Sequence, residues 1–312
     1  MLPSQCVPID AGDFQRKADM SILDGIKSSR LIPGDETHAY RDPAVIYRDG
    51  IFRLYCTYVE TEAEGGVCMY TVLMCSTDLV RWSDPIRLTP RDRSLNFSSP
   101  GNIVEWEGKY ILCLQTYCRE NGEKYGNERS RIYTMTSADL EHWDEPRPLM
   151  VKGDIPLADM GRMIDPYLIY DRRRGLWNCF YKQNGVSRST SPDLIRWEYR
   201  GSFPGGENVS VIEKDGVYFM FHSPSNGIGV KRSLDLEHWE DVGELLTFGQ
   251  KDWIWARGRL TAGFVLPYEE NGETVYLMFF HGTGPQDERV CFDNNASVGL
   301  AWSHDLVRWN WK

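Results

Sequence analysis

An all-β fold, five four-stranded antiparallel units set radially as a propeller, is predicted by three features of this 312-residue sequence. The pattern S-x-D-L-x-x-W recurs five times, at Ser76–Trp82, Ser137–Trp143, Ser191–Trp197, Ser233–Trp239 and Ser303–Trp309. An apolar, β-branched and aromatic strand pair with a tight turn precedes each copy. The aromatic content of 12% suits strands.

The strand pairs read in order along the chain. In the first unit residues 43–47 and 51–55 flank Asp49-Gly50, and in the second 102–106 and 109–112 flank Glu107-Gly108. The third pairs 166–170 with 176–180 around a turn ending at Gly175. Residues 209–213 and 217–221 flank Asp215-Gly216 in the fourth, and 263–266 and 274–279 flank Asn271-Gly272 in the fifth. Asp-Gly and Asn-Gly supply the positive φ angles of short hairpin turns. Each unit then needs a third strand ending near the Ser and a fourth after the Trp. The motif Asp is expected to accept backbone N–H bonds in its turn, with Leu and Trp packed between sheets. One such unit cannot bury both its faces, so five stack around a channel.

Residues 1–38 carry no copy of the unit. They are expected to wrap or close the propeller or to support an oligomer, with a short helix near Ser21–Lys27. No Pro-rich or Gly/Ser linker divides the chain, so residues 1–312 read as one domain. The motif Asp residues 78, 139, 193, 235 and 305 are spaced by 61, 54, 42 and 70 residues. Unequal insertions of this kind map to loops on a functional rim, here 59–70, 116–131 and 282–295.

The formal charge of -10, with a pI near 5.2, opposes a nucleic-acid partner, since phosphate contacts need Lys and Arg. No stretch approaches the ~20 apolar residues that span a bilayer, and the first residues lack a basic then apolar leader. A cytoplasmic protein is expected, with a secreted protein lacking its leader as the alternative. The eight cysteines are scattered, without a C-x-x-C pair, and read as reduced core residues.

In a propeller the inner strands run the same way along the axis, so the residues that begin them converge at one mouth of the channel. These are Asp42, Ser99, Asp165, Glu207 and Arg259. An Asp before Pro at a strand start is often only a turn residue. Three acids at one mouth are another matter, because their mutual repulsion raises at least one pKa, as a general acid requires.

The stretches Arg41-Asp42-Pro43 with Gly50, Tyr55 and Thr57, Ile164-Asp165-Pro166 through Tyr170, and Glu207 with residues 214–218 resemble glycoside hydrolase family 43, the β-xylosidase and α-L-arabinofuranosidase family. The likeness covers most of the chain and includes blade count and acid order. It implies Asp42 as general base on water, Asp165 as the residue that orients and tunes the acid, and Glu207 as general acid. Where that family often shows Glu-Gly-Pro, this chain has Glu207-Asn208-Val209; Glu213 is the nearest alternative acid.

The likeness further implies an inverting, exo-acting hydrolase on a terminal arabinofuranosyl, xylosyl or related residue of an oligosaccharide. No cofactor is required. His281 resembles a channel histidine that in some members helps hold a metal or water, so a channel-bound calcium and a packed, hydrogen-bonded ring are its two readings. Arg41, Ser99, Arg162, Arg257, Arg259 and His281 are the candidate substrate contacts. Rival readings are a retaining β-fructofuranosidase-like enzyme, a propeller phosphorylase with phosphate on Arg41, Arg162, Arg257 and Arg259, and a non-catalytic sugar-binding propeller.

Overall fold

The computed structural model describes residues 21–312. In chain order, β1 (Arg30–Ile32) is followed by β2 (His38–Arg48), β3 (Ile51–Thr61), β4 (Val67–Ser76) and β5 (Ile86–Arg87), the last four forming blade one. Blade two is β6 (Phe97–Trp106), β7 (Lys109–Thr116), β8 (Ile132–Ser137) and β9 (Arg147–Pro148). Blade three is β10 (Ile164–Asp171), β11 (Leu176–Lys182), β12 (Val186–Ser191) and β13 (Glu198–Phe203). Blade four is β14 (Glu207–Lys214), β15 (Val217–Ser225), β16 (Gly227–Ser233) and β17 (Glu240–Asp241). Blade five is β18 (Arg259–Glu270), β19 (Glu273–Thr283) and β20 (Ala296–Ser303), with β1 as its outer strand. The inner strands β2, β6, β10, β14 and β18 each touch the next, and β18 touches β2, which closes a five-bladed propeller.

Sequence chemistry accounts for the repeat. Both central residues of four hairpin turns have positive φ: Asp49 and Gly50, Glu107 and Gly108, Asp215 and Gly216, Asn271 and Gly272, as the primed turns demand. In every S-x-D-L-x-x-W copy the Asp Oδ1 accepts two backbone N–H bonds, for example from Val80 and Arg81 to Asp78 or from Val307 and Arg308 to Asp305. The motif Leu is left-handed each time, with φ from 61° to 68°. That is an unfavourable state for a branched residue, held because the Ser hydroxyl receives its N–H in four of the copies. The Trp indole then closes the turn onto the Leu carbonyl in three copies.

The N-terminal helix expected at Ser21–Lys27 is a single 3₁₀ turn, Ile22–Gly25, capped by Ser21. The carboxylate of Glu270, at the end of β18, accepts from the Ser21 hydroxyl and the Ile22 N–H at 2.6 Å each, which ties this turn to blade five. One expectation fails here. The fourth strand of blade five comes not from the residues after Trp309 but from β1, whose Arg30 and Ile32 pair with Gly299 and Val298. Past Trp309 only Asn310 bridges back, to Trp302, because the open edge of β20 is already occupied. Residues 1–20 of the expected closing segment lie outside the described residues.

Cys56, Cys68, Cys113, Cys118, Cys179 and Cys291 are free and buried. Cys75, one residue from the end of β4, departs from the expected reduced set and is disulfide-bonded. Among the described residues no helix is long and apolar enough to cross a membrane.

Candidate active site at the channel mouth

Every inner strand carries a β-bulge near its start, at a residue forced into the left-handed region: Asp42 (φ 49°), Ser99 (44°), Asp165 (53°), Asn208 (52°) and Ala262 (56°). Such backbone costs of order 1–3 kcal/mol per residue and re-aims the side chain. These five are therefore the equivalent positions, which corrects two sequence assignments. Glu207 precedes its bulge and corresponds to Arg41 and Thr261, not to Asp42, while Arg259 lies two residues before Thr261. Blade four places an amide, Asn208, where blades one and three place an acid.

A bulge leaves a ladder N–H without its strand partner. In four blades a side chain from the second strand of the preceding blade receives it. Thr57 on β3 accepts the Ser99 N–H at 2.7 Å, Gln115 on β7 the Asp165 N–H at 2.6 Å, Ser223 on β15 the Ala262 N–H at 2.9 Å, and His281 on β19 the Asp42 N–H at 3.1 Å. These four residues share one register, each opposite the residue before its own blade's bulge. His281 thus has a defined role as the acceptor that sets the Asp42 backbone.

Accepting at Nδ1 places the ring proton on Nε2. Burial, then the Arg41 guanidinium, push the His281 pKa down and keep the ring neutral. Its Nε2 is 3.7 Å from Glu288, and that carboxylate already binds Arg41 and Arg259. A cation at His281 would meet a protonated nitrogen and two guanidinium groups, so the residues do not suit the calcium reading. Among the described residues, the acid and histidine side chains close enough to share an ion are Asp235, Glu237 and His238. They belong to the motif turn of blade four, where Asp235 is already bound to backbone N–H groups and to His238.

The bulge side chains form a hydrogen-bonded ring across the channel. The Thr57 hydroxyl donates to Asp42 Oδ2 at 2.9 Å, and Ser99 Oγ donates to Asp165 Oδ1 at 2.7 Å. Asn208 Nδ2 lies 3.3 Å from Asp42 Oδ1 and 3.2 Å from Asp165 Oδ1. Above this floor opens a cavity of about 360 Å³, within the range of small-molecule sites. Asp42, Asp165, Glu207, Arg41, Arg162, Arg259 and His281 all line it. Ser99 lies beneath, on the narrower channel. Arg257, expected among the substrate contacts, is exposed and absent from the lining, because it ends the 3₁₀ turn Ile254–Ala256 before β18 begins. Glu213 sits near the far hairpin, paired with Arg173.

The electrostatics separate the acids. Burial, then the charges of Glu207 and Asp42, raise the Asp165 carboxyl to about 7, against the opposing pull of Ser99 and Arg162. The raised acid predicted from clustering is therefore Asp165. Glu207 Oε1 instead accepts from Arg259 Nη2 at 2.6 Å. Arg259 also binds Glu288, which in turn holds Arg41, giving the chain Glu207, Arg259, Glu288, Arg41 along one wall. Burial pushes Glu288 up, but Arg41, His281 and Arg259 together hold it far below the usual carboxylate range.

Sequence reading passed over Glu288, Asn208 and the aromatic side of the cavity. Tyr117, Tyr125 and Phe292 line it, with Phe292 stacked on Tyr117 and edge-on to Tyr125. Arg41 lies over the Phe292 ring at 4.4 Å. All three rings, with Gly126 and Glu288, fall in the rim loops that unequal repeat spacing singles out.

No protein-family model matches this chain. Solved structures do. A family 117 glycoside hydrolase of the marine bacterium Zobellia galactanivorans superposes with a TM-score of 0.63 at 16% identity, over 88% of this chain and 89% of that one. A thermostable family 43 glycoside hydrolase gives 0.61 at 15% identity, over 88% and 93%. An exo-1,5-α-L-arabinanase from a bovine ruminal metagenomic library gives 0.60 at 15% identity, over 89% and 98%. The chain thus has the five-bladed propeller fold found in glycoside hydrolases of families 43 and 117.

Proposed function

We propose that the protein is a glycoside hydrolase that acts at the end of an oligosaccharide and inverts anomeric configuration, with Asp42 as general base, Glu207 as general acid and Asp165 beside the acid. The observation that carries this is the convergence of three carboxyl groups, from blades one, three and four, on one cavity with an aromatic wall. Thr57 and Asn208 bind both oxygens of Asp42 and orient it toward a water above the floor. Asp42 takes a proton from that water as it attacks the anomeric carbon, while Glu207, across the channel, gives a proton to the departing oxygen. Asp165 carries a proton up to about pH 7 and is the neighbouring carboxyl able to hold one beside Glu207. The aromatic wall offers flat faces to the apolar side of a sugar ring. An arabinofuranosyl or xylosyl group is the first substrate to try, as the sequence resemblance implies.

The test is a screen of nitrophenyl glycosides with and without inorganic phosphate, followed by NMR of the first-formed product. Phosphate-independent release with inverted configuration is expected. Retained configuration would favour the fructofuranosidase-like reading, and a sugar phosphate product the phosphorylase. Sugar binding without turnover of any glycoside would leave a binding module.

A further inference from the structure

Three arginines line the cavity, and two are spent. Arg41 gives Nη2 to Glu288 and Nη1 to the Phe292 carbonyl, while Arg259 divides its Nη groups between Glu288 and Glu207. Arg162 is different. Its Nε donates to the Gly126 carbonyl at 2.8 Å, and among the described residues it has no ion pair within 4 Å and no hydrogen bond from either Nη. Its backbone is fixed, since Gln183 Nε2 donates to the carbonyls of Arg162 and Met160 at 2.9 and 3.0 Å. With Nε committed and the main chain pinned, the half-buried Arg162 lines the cavity with both Nη groups uncommitted. Besides Arg41 and Arg259, the titratable groups facing the cavity are Asp42, Asp165, Glu207, His281, Tyr125 and the Tyr117 phenol, whose pKa burial pushes up to about 12.

A guanidinium fork matches the two oxygens of a carboxylate. A phosphate dianion is normally met by several cations, and here the other two are neutralised by Glu288 and Glu207. The net charge of -10 repels anions at long range, so any acidic ligand must be selected by a local contact such as this one. Arg41 and Tyr117 already lie against Phe292, so Tyr125, beside Gly126 in the lining, supplies the ring face that such a ligand would lie on.

We propose that Arg162 receives the carboxylate of an acidic sugar, so that the preferred substrate is a uronide. This rests on the hydrolase reading of the cavity, but its first test does not need turnover. Binding of glucuronate and galacturonate is compared with that of glucose and galactose by ligand-observed NMR titration, for the parent, Arg162→Gln and Arg162→Lys. A charge-assisted contact of this kind is expected to favour the acidic sugar roughly tenfold to hundredfold in the parent. The preference is expected to vanish in Arg162→Gln and to fall partway in Arg162→Lys, which keeps the charge but not the fork. Equal binding of acidic and neutral sugars by the parent, a comparison independent of how any variant folds, overturns the inference. So does a preference that survives Arg162→Gln in protein with parental circular dichroism. Inorganic phosphate that binds in place of uronate and depends on Arg162 would overturn it in favour of a phosphate site. Uronate preference in a protein that cleaves no glycoside would sink the hydrolase reading while leaving Arg162 as an acidic-sugar contact.

Discussion

Asp165→Asn is the perturbation whose sign differs most from intuition, because removing an acid from the site should stabilise the protein at neutral and alkaline pH. The Asp165 carboxyl is buried between Asp42 and Glu207, and its pKa stands near 7 against an ordinary aspartate value of 3.8. The sign follows from proton binding. Below about pH 4 both folded and unfolded chains hold this proton, and the group has no effect on stability. Between about pH 4 and 7 the unfolded chain releases the proton while the folded chain keeps it, so folding becomes progressively less favourable. Above pH 7 the penalty is complete, and at 1.36 kcal/mol per pKa unit it approaches about 4 kcal/mol. Asparagine removes the titration without disturbing the ring, because Asp165 Oδ1 alone accepts from Ser99 and Asn208, and an amide oxygen accepts equally well. The assay is chemical denaturation of parent and variant from pH 4 to 9. The variant should gain relative stability steadily with pH, by a few kcal/mol at pH 8. Parallel curves at all pH values would show that Asp165 ionises normally and would refute the argument from burial and repulsion.

Three further predictions address the site and the frame. Asp42→Asn should lower hydrolysis by ~10² to 10⁴ in kcat, the usual cost of losing a general base, in protein that keeps the parental circular dichroism; activity within a few-fold of the parent removes Asp42 from the chemistry. Glu207→Gln should slow glycosides with poor leaving groups far more than activated aryl glycosides, since a good leaving group needs little protonation, and an equal loss on both would place the acid elsewhere. Gly101→Ala should cost several kcal/mol or prevent folding, because a Cβ there would lie 1.5 Å from the Pro166 carbonyl oxygen on the next inner strand; a thermal midpoint within a few degrees of the parent's would contradict the packing of β6 against β10.

The repeat was legible because each of its residues answers a local demand. Ser and Asp satisfy turn N–H groups, and Gly and Asn take positive φ. These demands are written at fixed spacing in the sequence. The alignment of blade four was not read correctly, because Pro follows the bulge residue in blades one, two and three but Val209 and Gly263 follow it in the others. Counting back eight residues from the hairpin glycine takes Gly50 to Asp42 and Gly216 to Asn208, but the same count reaches Pro100, Tyr167 and Phe264 in the other blades, so spacing alone does not locate the bulge. Glu288 gave no signal. It sits in the loop sequence Asp287-Glu288-Arg289, which reads as solvated charge until folding buries it against Arg41 and Arg259. The aromatic wall was hidden for the same reason, since Tyr125 and Phe292 come from loops without strand periodicity.

The caps on the bulge N–H groups mean that no blade is a self-contained module. The backbone of Asp42 is set by blade five, that of Ser99 by blade one and that of Asp165 by blade two. Transplanting a single blade from another propeller would therefore carry in an acid while leaving its acceptor behind. A chimera that respects this wiring should cut between the first and second strands of a blade, so that Gln115 travels with Asp165 or Ser223 with Ala262. The unit of exchange at this channel mouth is the junction between neighbouring blades.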